Sequence, residues 1–483
     1  MSSYYVTIGL ETHVEISNTK SKVFSNAVNG FTDKPNVNVS PVDMGFPGIL
    51  PTVNKECVRM SLMMASILHS RIPYYLYFER KNYYYPDLPK GYQITQNPPE
   101  ETIGNGGYLD IRRSDGSTFR VEIDNFHLEE DAAKLTHLYD HSTINYNRAG
   151  VPLLELVTTP SIHSVDDAIT YLEYLRAIYQ YCGISDADSR KGEVRCDVNV
   201  SISPDKDKLG TKVEVKNVNS FSNVRETINY EIQRQTELWD AGREAEIEQE
   251  TRRFDEATGT TIHMRSKVDA IDYKYFVEPN IPKIKIDKDW VKEIQKSIPE
   301  LPYERMDKYT KEYNLSEYDA NIIIKDIKTS NYFNECISLG IDPKTAANWI
   351  NTQILGVVND SNNDIEIDTI NVTPKRLFEI TDALKTNKIS SKQAKEVFKL
   401  VLDEDLDPDV IMKEHDIVQM NDDSELESLV KELLDNSTEQ IADYKSGHTN
   451  LFGYFVGQIM KQTKGKANPV KLREILTDEL NKR

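Results

Sequence analysis

The sequence predicts an α+β protein: an N-terminal mixed α/β domain, then an all-α helical domain and an all-α C-terminal tail. Three observations predict it. From Tyr4 to about Ile286, short alternating runs are separated by Gly, Pro, Asn and Asp, with occasional helical stretches. After the proline-containing stretch 278–285, nearly everything reads as helix with polar connections. The acidic stretch 403–409, with Pro408 inside it, separates these helices from a C-terminal piece of similar kind. The expected segments are 1–290, 291–407 and 408–483.

The clearest strand is 5–16. Val6, Ile8, Leu10, Val14 and Ile16 fall on one face, and Thr7, Glu11, His13 and Glu15 on the other. Alternation returns at 120–125, and helical periodicity appears at 165–179 and 224–239. Past Asp287, the run 357–368 reads as a solvated loop. Thr373 and Pro374 form an N-cap and first-turn signature leading into Leu377, Ile380 and Leu384. Ser391 is the expected cap of a further helix carrying Val397, Phe398 and Val401.

At about 150 residues per domain, 483 residues suggest roughly three domains and exclude a single small module. The net charge of −20 excludes a general nucleic-acid coat, although a local basic patch could still engage a specific polyanion. Such a patch lies at 459–483, where seven Lys and Arg face three acids. Four cysteines without a CxxC pair indicate neither a disulfide framework nor a zinc ribbon, and fit a reducing cytoplasm. No secretory pattern opens the sequence and no membrane-length apolar run occurs.

Three segments carry candidate chemistry. The strand face with Glu11, His13 and Glu15 could hold a metal or simply meet solvent. The cluster His127-Leu128-Glu129-Glu130-Asp131 offers more carboxylates, or plain loop charge. Glu155 stands inside the apolar run 151–157, where an unpaired carboxylate is costly to bury and calls for a cation or several donors. Together they would suit Mg²⁺, with Mn²⁺ as competitor because of the imidazole. The segment 78–93 combines Arg80, Lys81 and Lys90 with tyrosines and turn residues, which suits phosphate contact or a tyrosine-packed surface loop. There is no GxxxxGK[ST] loop, no GxGxxG, no kinase HRD or DFG set and no GxSxG elbow. Any ATP chemistry needs another cradle, and the chain by itself is not expected to hydrolyse glutamine.

At these same segments the sequence resembles the GatB family, the GatB components of heterotrimeric aspartyl/glutamyl-tRNA amidotransferases. The matching motifs are Ile8 to Glu15, Arg80-Lys81-Asn82 through Tyr92-Gln93, and His127 to Ala132. They continue with Asn147-Arg148-Ala149-Gly150 through Glu155, Arg195 to Ser201, Lys216 to Phe221, and Glu250 through Lys267. Gly457 to Lys461 and Thr463 to Pro469 extend the likeness to the tail. Glu79, Arg190-Lys191-Gly192, Val277 and Asn280 depart from the family pattern, and no extra insert of the glutamyl-only subfamily is present.

The resemblance implies a cradle domain, a helical domain and a tRNA-gripping tail. It implies that ATP phosphorylates the side-chain carboxylate of Glu or Asp misacylated on tRNA(Gln) or tRNA(Asn), and that ammonia then displaces phosphate. Without a phosphate leaving group a carboxylate resists amine attack, and Mg²⁺ with a fixed lysine would neutralise the developing charge. On that reading Glu11, His13, Glu130 and Glu155 hold the metal, and Lys81 joins them as a catalytic residue. Arg80, Lys81, Lys90 and Arg148 meet ATP, and Lys461, Lys464 and Lys466 meet tRNA. Ammonia would come from the amidase component (GatA), with the small component (GatC) completing a cytoplasmic heterotrimer with no membrane part. The competing readings are a metal-dependent phosphohydrolase and a non-enzymatic tRNA-binding scaffold.

Overall fold

The computed structural model describes residues 4–97, 101–188, 191–266, 272–360, 365–420, 422–463 and 465–483. They fall into two compact units, Met1–Met306 and Asp307–Arg483. The first contains the sheets and the second is helical, so the α+β expectation holds.

Among the described residues, the main sheet of the first unit has nine strands, with Tyr5–Glu15 near its centre. Ile8, Leu10 and Val14 are buried on one face of that strand; Glu11, His13 and Glu15 are half-buried on the other. Successive residues of a strand face opposite sides, so this sequence can sit in only one register with its apolar set inward. On one flank it pairs antiparallel with Pro152–Thr158, which pairs with Thr118–Glu130. On the other flank it pairs with Val194–Ser203, and the sheet continues through Val213–Val218, Glu250–Asp255 and Thr260–Ser266. Val213–Val218 and Glu250–Asp255 run parallel, which requires a crossover, and helix Phe221–Asp240 supplies it.

Helices Lys55–Ile67, Val165–Tyr181 and Phe221–Asp240 join the apolar sheet face in one core that includes Leu10, Phe126, Leu156, Val198, Leu172 and Ile228. Each begins at a side chain that accepts a backbone N–H of the first turn: Asn54, Ser164 and Ser220. Such a cap is worth about 1 kcal/mol. The third helix starts three residues before the expected 224 because Ser220, which lies outside the apolar periodicity, is its cap. A small sheet of Glu79–Asn82, Tyr92–Thr95 and Phe276–Val277 is tied to the end of Thr118–Glu130. There the Thr95 hydroxyl donates to Glu129 and the Ile94 N–H to Glu130.

In the second unit, Pro374–Lys385 begins at Thr373 as expected. Ser391–Glu404 is capped not by Ser391 but by Ser390, which forms a reciprocal capping box with Gln393. Leu426, Val430, Phe455, Ile459, Leu472 and Leu476 form a separate core from the last helices. No described helix is long and apolar enough to cross a membrane.

Candidate active site

Strand register builds the site. His127, Glu155, His13 and Arg195 are successive Cα partners across four neighbouring strands, so they form a row on the polar face of the sheet. Glu155 is its centre. His13 Nε2 lies 3.2 Å and His127 Nε2 3.1 Å from the same oxygen, Glu155 Oε2. Glu11 Oε1 is 3.8 Å from His13 Nε2, and Glu129 Oε2 is 3.6 Å from His127 Nε2. Two groups of convergent ligand atoms result, Glu11-His13-Glu155 and His127-Glu129-Glu155, sharing Glu155. The His127 ring is oriented through Nδ1 by Asn125 Oδ1 at 3.2 Å, the outer hydrogen bond that a metal-binding imidazole needs.

Electrostatics reflects the crowding. Burial, and then the charge of Glu155, raises Glu11 to about 7. Burial disfavours the imidazolium of His13 and of His127, but Glu155 and Glu129 outweigh it and raise them to about 9 and about 10. Burial likewise works against the Glu155 carboxylate, yet the two histidines hold it well below its ordinary value. Protons on the imidazoles thus balance the carboxylates in the cation-free chain. A divalent ion can take over that role, and the donor set of carboxylates with two imidazoles fits the Mg²⁺/Mn²⁺ class.

Of the sequence-predicted ligands, Glu11, His13 and Glu155 come together and Glu130 does not. Glu130 shares the strand face of Phe126 and Leu128, where Lys90 Nζ lies 2.5 Å from Oε1 and the Ile94 N–H donates to it at 2.9 Å. Lys90 is thereby occupied within the fold. Arg80 is occupied too, paired with the buried Glu278 at 2.5 Å and stacked over Tyr92. Arg148 donates to the carbonyls of Ala132 and Ala133 and lies 3.4 Å from Asp131. Lys81, next to Arg80 and so facing the opposite way, lies 4.9 Å over the Tyr273 ring. Burial opposes its charge, but Glu129 and Glu155 keep its ammonium above the ordinary value.

Residues 6–292 match the family model described as the GatB/GatE catalytic domain, and 331–480 the one described as the GatB domain. The chain belongs to the GatB family. It is 42% identical over 479 residues to the GatB component of the aspartyl/glutamyl-tRNA(Asn/Gln) amidotransferase of Limosilactobacillus reuteri (strain DSM 20016), covering 99% of each chain. Identity is 42% over 483 residues to that of Geobacillus thermodenitrificans, covering 100% of both. It is 44% to that of Macrococcus caseolyticus, covering 99% of this chain and 100% of the relative.

Sequence reasoning missed His127 and Glu129 as the members of the cluster from their segment. The signal was there: Phe126 and Leu128 are apolar, so strand parity sends 127 and 129 to the polar face and 130 to the other. Asp197, the register partner of Glu11, was missed as well; its carboxylate is 2.7 Å from Lys216 Nζ.

Beside the row lies a polar cavity of about 580 Å³, lined by Glu15, Phe31, Lys134, Asn147, Arg148 and Arg195 among others. Arg195 also binds Asp131, at 2.7 Å. Burial, then Asp131, raises Glu15 to about 8 against the opposing charges of Arg195 and Arg148. The loop that brings Phe31 here is held by Lys22, whose buried ammonium donates to Asn38 O, Ala149 O and Asp43.

In the tail, Lys461 is exposed and in no ion pair among the described residues, whereas Lys466 pairs with Asp416. Lys464 lies outside the described residues, as do Arg190 and Lys267 of the motifs.

Proposed function

We propose that the row centred on Glu155 is where the side-chain carboxylate of Glu-tRNA(Gln) or Asp-tRNA(Asn) is activated and amidated. One carboxylate oxygen attacks the γ-phosphorus of ATP and ADP leaves, giving an acyl phosphate. Ammonia then attacks the acyl carbon, loses a proton, and phosphate departs with its bonding pair. The observation that carries this reading is the single carboxylate oxygen held between two imidazoles, with two further carboxylates in reach.

Glu11, His13, His127, Glu129 and Glu155 are the residues to hold a divalent cation, Mg²⁺ or Mn²⁺. When bound, that ion supplies positive charge to the phosphates and to the leaving oxygen. Lys81 is a fixed cation for the transferring phosphoryl group. Arg80 and Lys90 position the small sheet that carries Lys81, which follows from their ion pairs. Ammonia comes from the amidase component (GatA), because the chain has no nucleophile elbow of its own. The small component (GatC) completes a cytoplasmic heterotrimer. Activation belongs to 1–290, with 291–407 as the helical domain and 408–483 gripping tRNA. Lys461, Lys464 and Lys466 supply phosphate contacts there.

The test is reconstitution with GatA, GatC, ATP and misacylated tRNA. Glu155→Gln is expected to abolish ATP-dependent phosphorylation while partner glutaminase activity and tRNA binding persist. Unchanged amide formation by that variant would overturn the assignment. A phosphohydrolase would release phosphate from ATP without any amidated product.

A further inference from the structure

We propose that the polar cavity beside His13 receives the aminoacylated terminal adenosine of the tRNA, with Glu15 taking the substrate's α-ammonium group and Phe31 stacking on the terminal base. This rests on the reading of the Glu155 row as the place of carboxylate phosphorylation, and adds the pocket that presents the carboxylate to it.

Position is the first argument. Glu15 and Arg195 line the cavity, and Arg195 is the register partner of His13. Glu15 follows His13 by two residues on the same strand face, roughly 7 Å away. An aspartyl or glutamyl residue bridges such a step between its α-amino group and its side-chain carboxyl. The other approach to the row, at the Glu129 end, is held by Lys81 with Tyr83 and Tyr273, a cation among aromatic rings suited to a nucleotide. Attacking and leaving oxygens lie roughly in line in phosphoryl transfer, so the two substrates need two separate approaches.

Chemistry is the second. Among the described residues, the Glu15 carboxyl accepts no hydrogen bond and is in no ion pair, although it sits in the inner wall of the cavity. A carboxyl so placed calls for a cation or donors, and a primary ammonium brings three. The lining mixes Lys134 and Arg148 with Asp33 and Glu15 among asparagines, rather than concentrating one sign. That composition fits an aminoacyl nucleoside better than a triphosphate, which demands gathered positive charge. Phe31 is 72% exposed yet lines the cavity, an aromatic face the core does not use. Bases stack on such faces without sequence preference. Lys134, exposed and in no ion pair among the described residues, suits the last phosphodiester. The volume of about 580 Å³ lies within the range of ligand clefts.

The experiment is calorimetric titration of the full-length chain with a hydrolysis-stable probe, 3′-glutamylamido-3′-deoxyadenosine 5′-phosphate, and with its counterpart lacking the α-amino group. The amino probe is expected to bind about ten-fold more tightly than its counterpart, and Phe31→Ala to weaken both by about ten-fold. Glu15→Gln is expected to erase the difference between the two probes, and excess ATP to displace neither. Equal binding of both probes to the unaltered chain, displacement by ATP, or indifference to both substitutions would overturn the proposal. Phosphorylation assayed in the heterotrimer separates the two levels. If it survives in Glu155→Gln, the underlying reading fails; if it needs Glu155 but the probes do not distinguish Glu15, only the cavity assignment fails.

Discussion

His13 and His127, carried by strands that do not pair with each other, approach the same Glu155 oxygen from opposite flanks, at 3.2 and 3.1 Å. One carboxylate therefore belongs to both groups of convergent ligand atoms. Glu155→Gln removes the shared charge while keeping the shape. Mn²⁺ affinity, measured by calorimetry on the full chain, is expected to fall at least about ten-fold, with loss of amidation. Full Mn²⁺ affinity in this variant would contradict a shared ligand.

The protons on the two imidazoles give a pH signature. His13 and His127 are raised from 6.5 to about 9 and about 10. A raised histidine contributes stability fully below its unfolded value and loses it as pH climbs through the folded one. Glu11 and Glu15, raised from 4.5 to about 7 and about 8, act in the same direction. Between about pH 6 and 10 the cation-free chain should thus melt at progressively lower temperature. Over the same span Mn²⁺ should bind more tightly, because its ligands must be deprotonated. Melting curves in EDTA and in Mn²⁺ test this; a flat EDTA profile would contradict it.

Neighbouring acids should behave differently on substitution. Glu129→Gln is expected to remove activity while keeping an acceptor for the Thr95 hydroxyl. Glu130→Ala leaves the Lys90 ammonium without its carboxylate in a buried pair, at a cost of about 3–5 kcal/mol. Urea titration reads the second effect, and Lys90→Met combined with Glu130→Met should recover much of it.

Gly150 has φ +82°, and a Cβ there would lie 2.6 Å from Asp43 Oδ1. Gly150→Ala is expected to destabilise the first unit by more than about 1 kcal/mol, from backbone strain and from displacing the Asp43 partner of Lys22. Proteolysis within 29–50 should accelerate, since Lys22 secures that loop. An unaltered digestion pattern would count against the clamp.

Local patterns foretold much of this structure. The two-residue period of 5–16 located the central strand and the face bearing Glu11 and His13, and the Thr373-Pro374 signature located a helix start. Glu130 entered as a ligand through the family resemblance, whereas the apolar parity of Phe126 and Leu128 sends Glu129, not Glu130, to the polar face. The partners of Arg80 and Lys90 lie 198 and 40 residues away in the chain, and no local pattern encodes a contact at that separation. The same holds for the cavity, whose walls come from six separate stretches of chain.

The pairing of Phe276 with Arg80, and of Ile284 with Leu76, has a consequence for biosynthesis. During translation the ribosome releases the sheet's central strand first, yet the strand bearing Lys81 gains its outer neighbour only once some two hundred further residues have emerged. The small sheet that carries Lys81 is therefore completed late in the birth of the polypeptide.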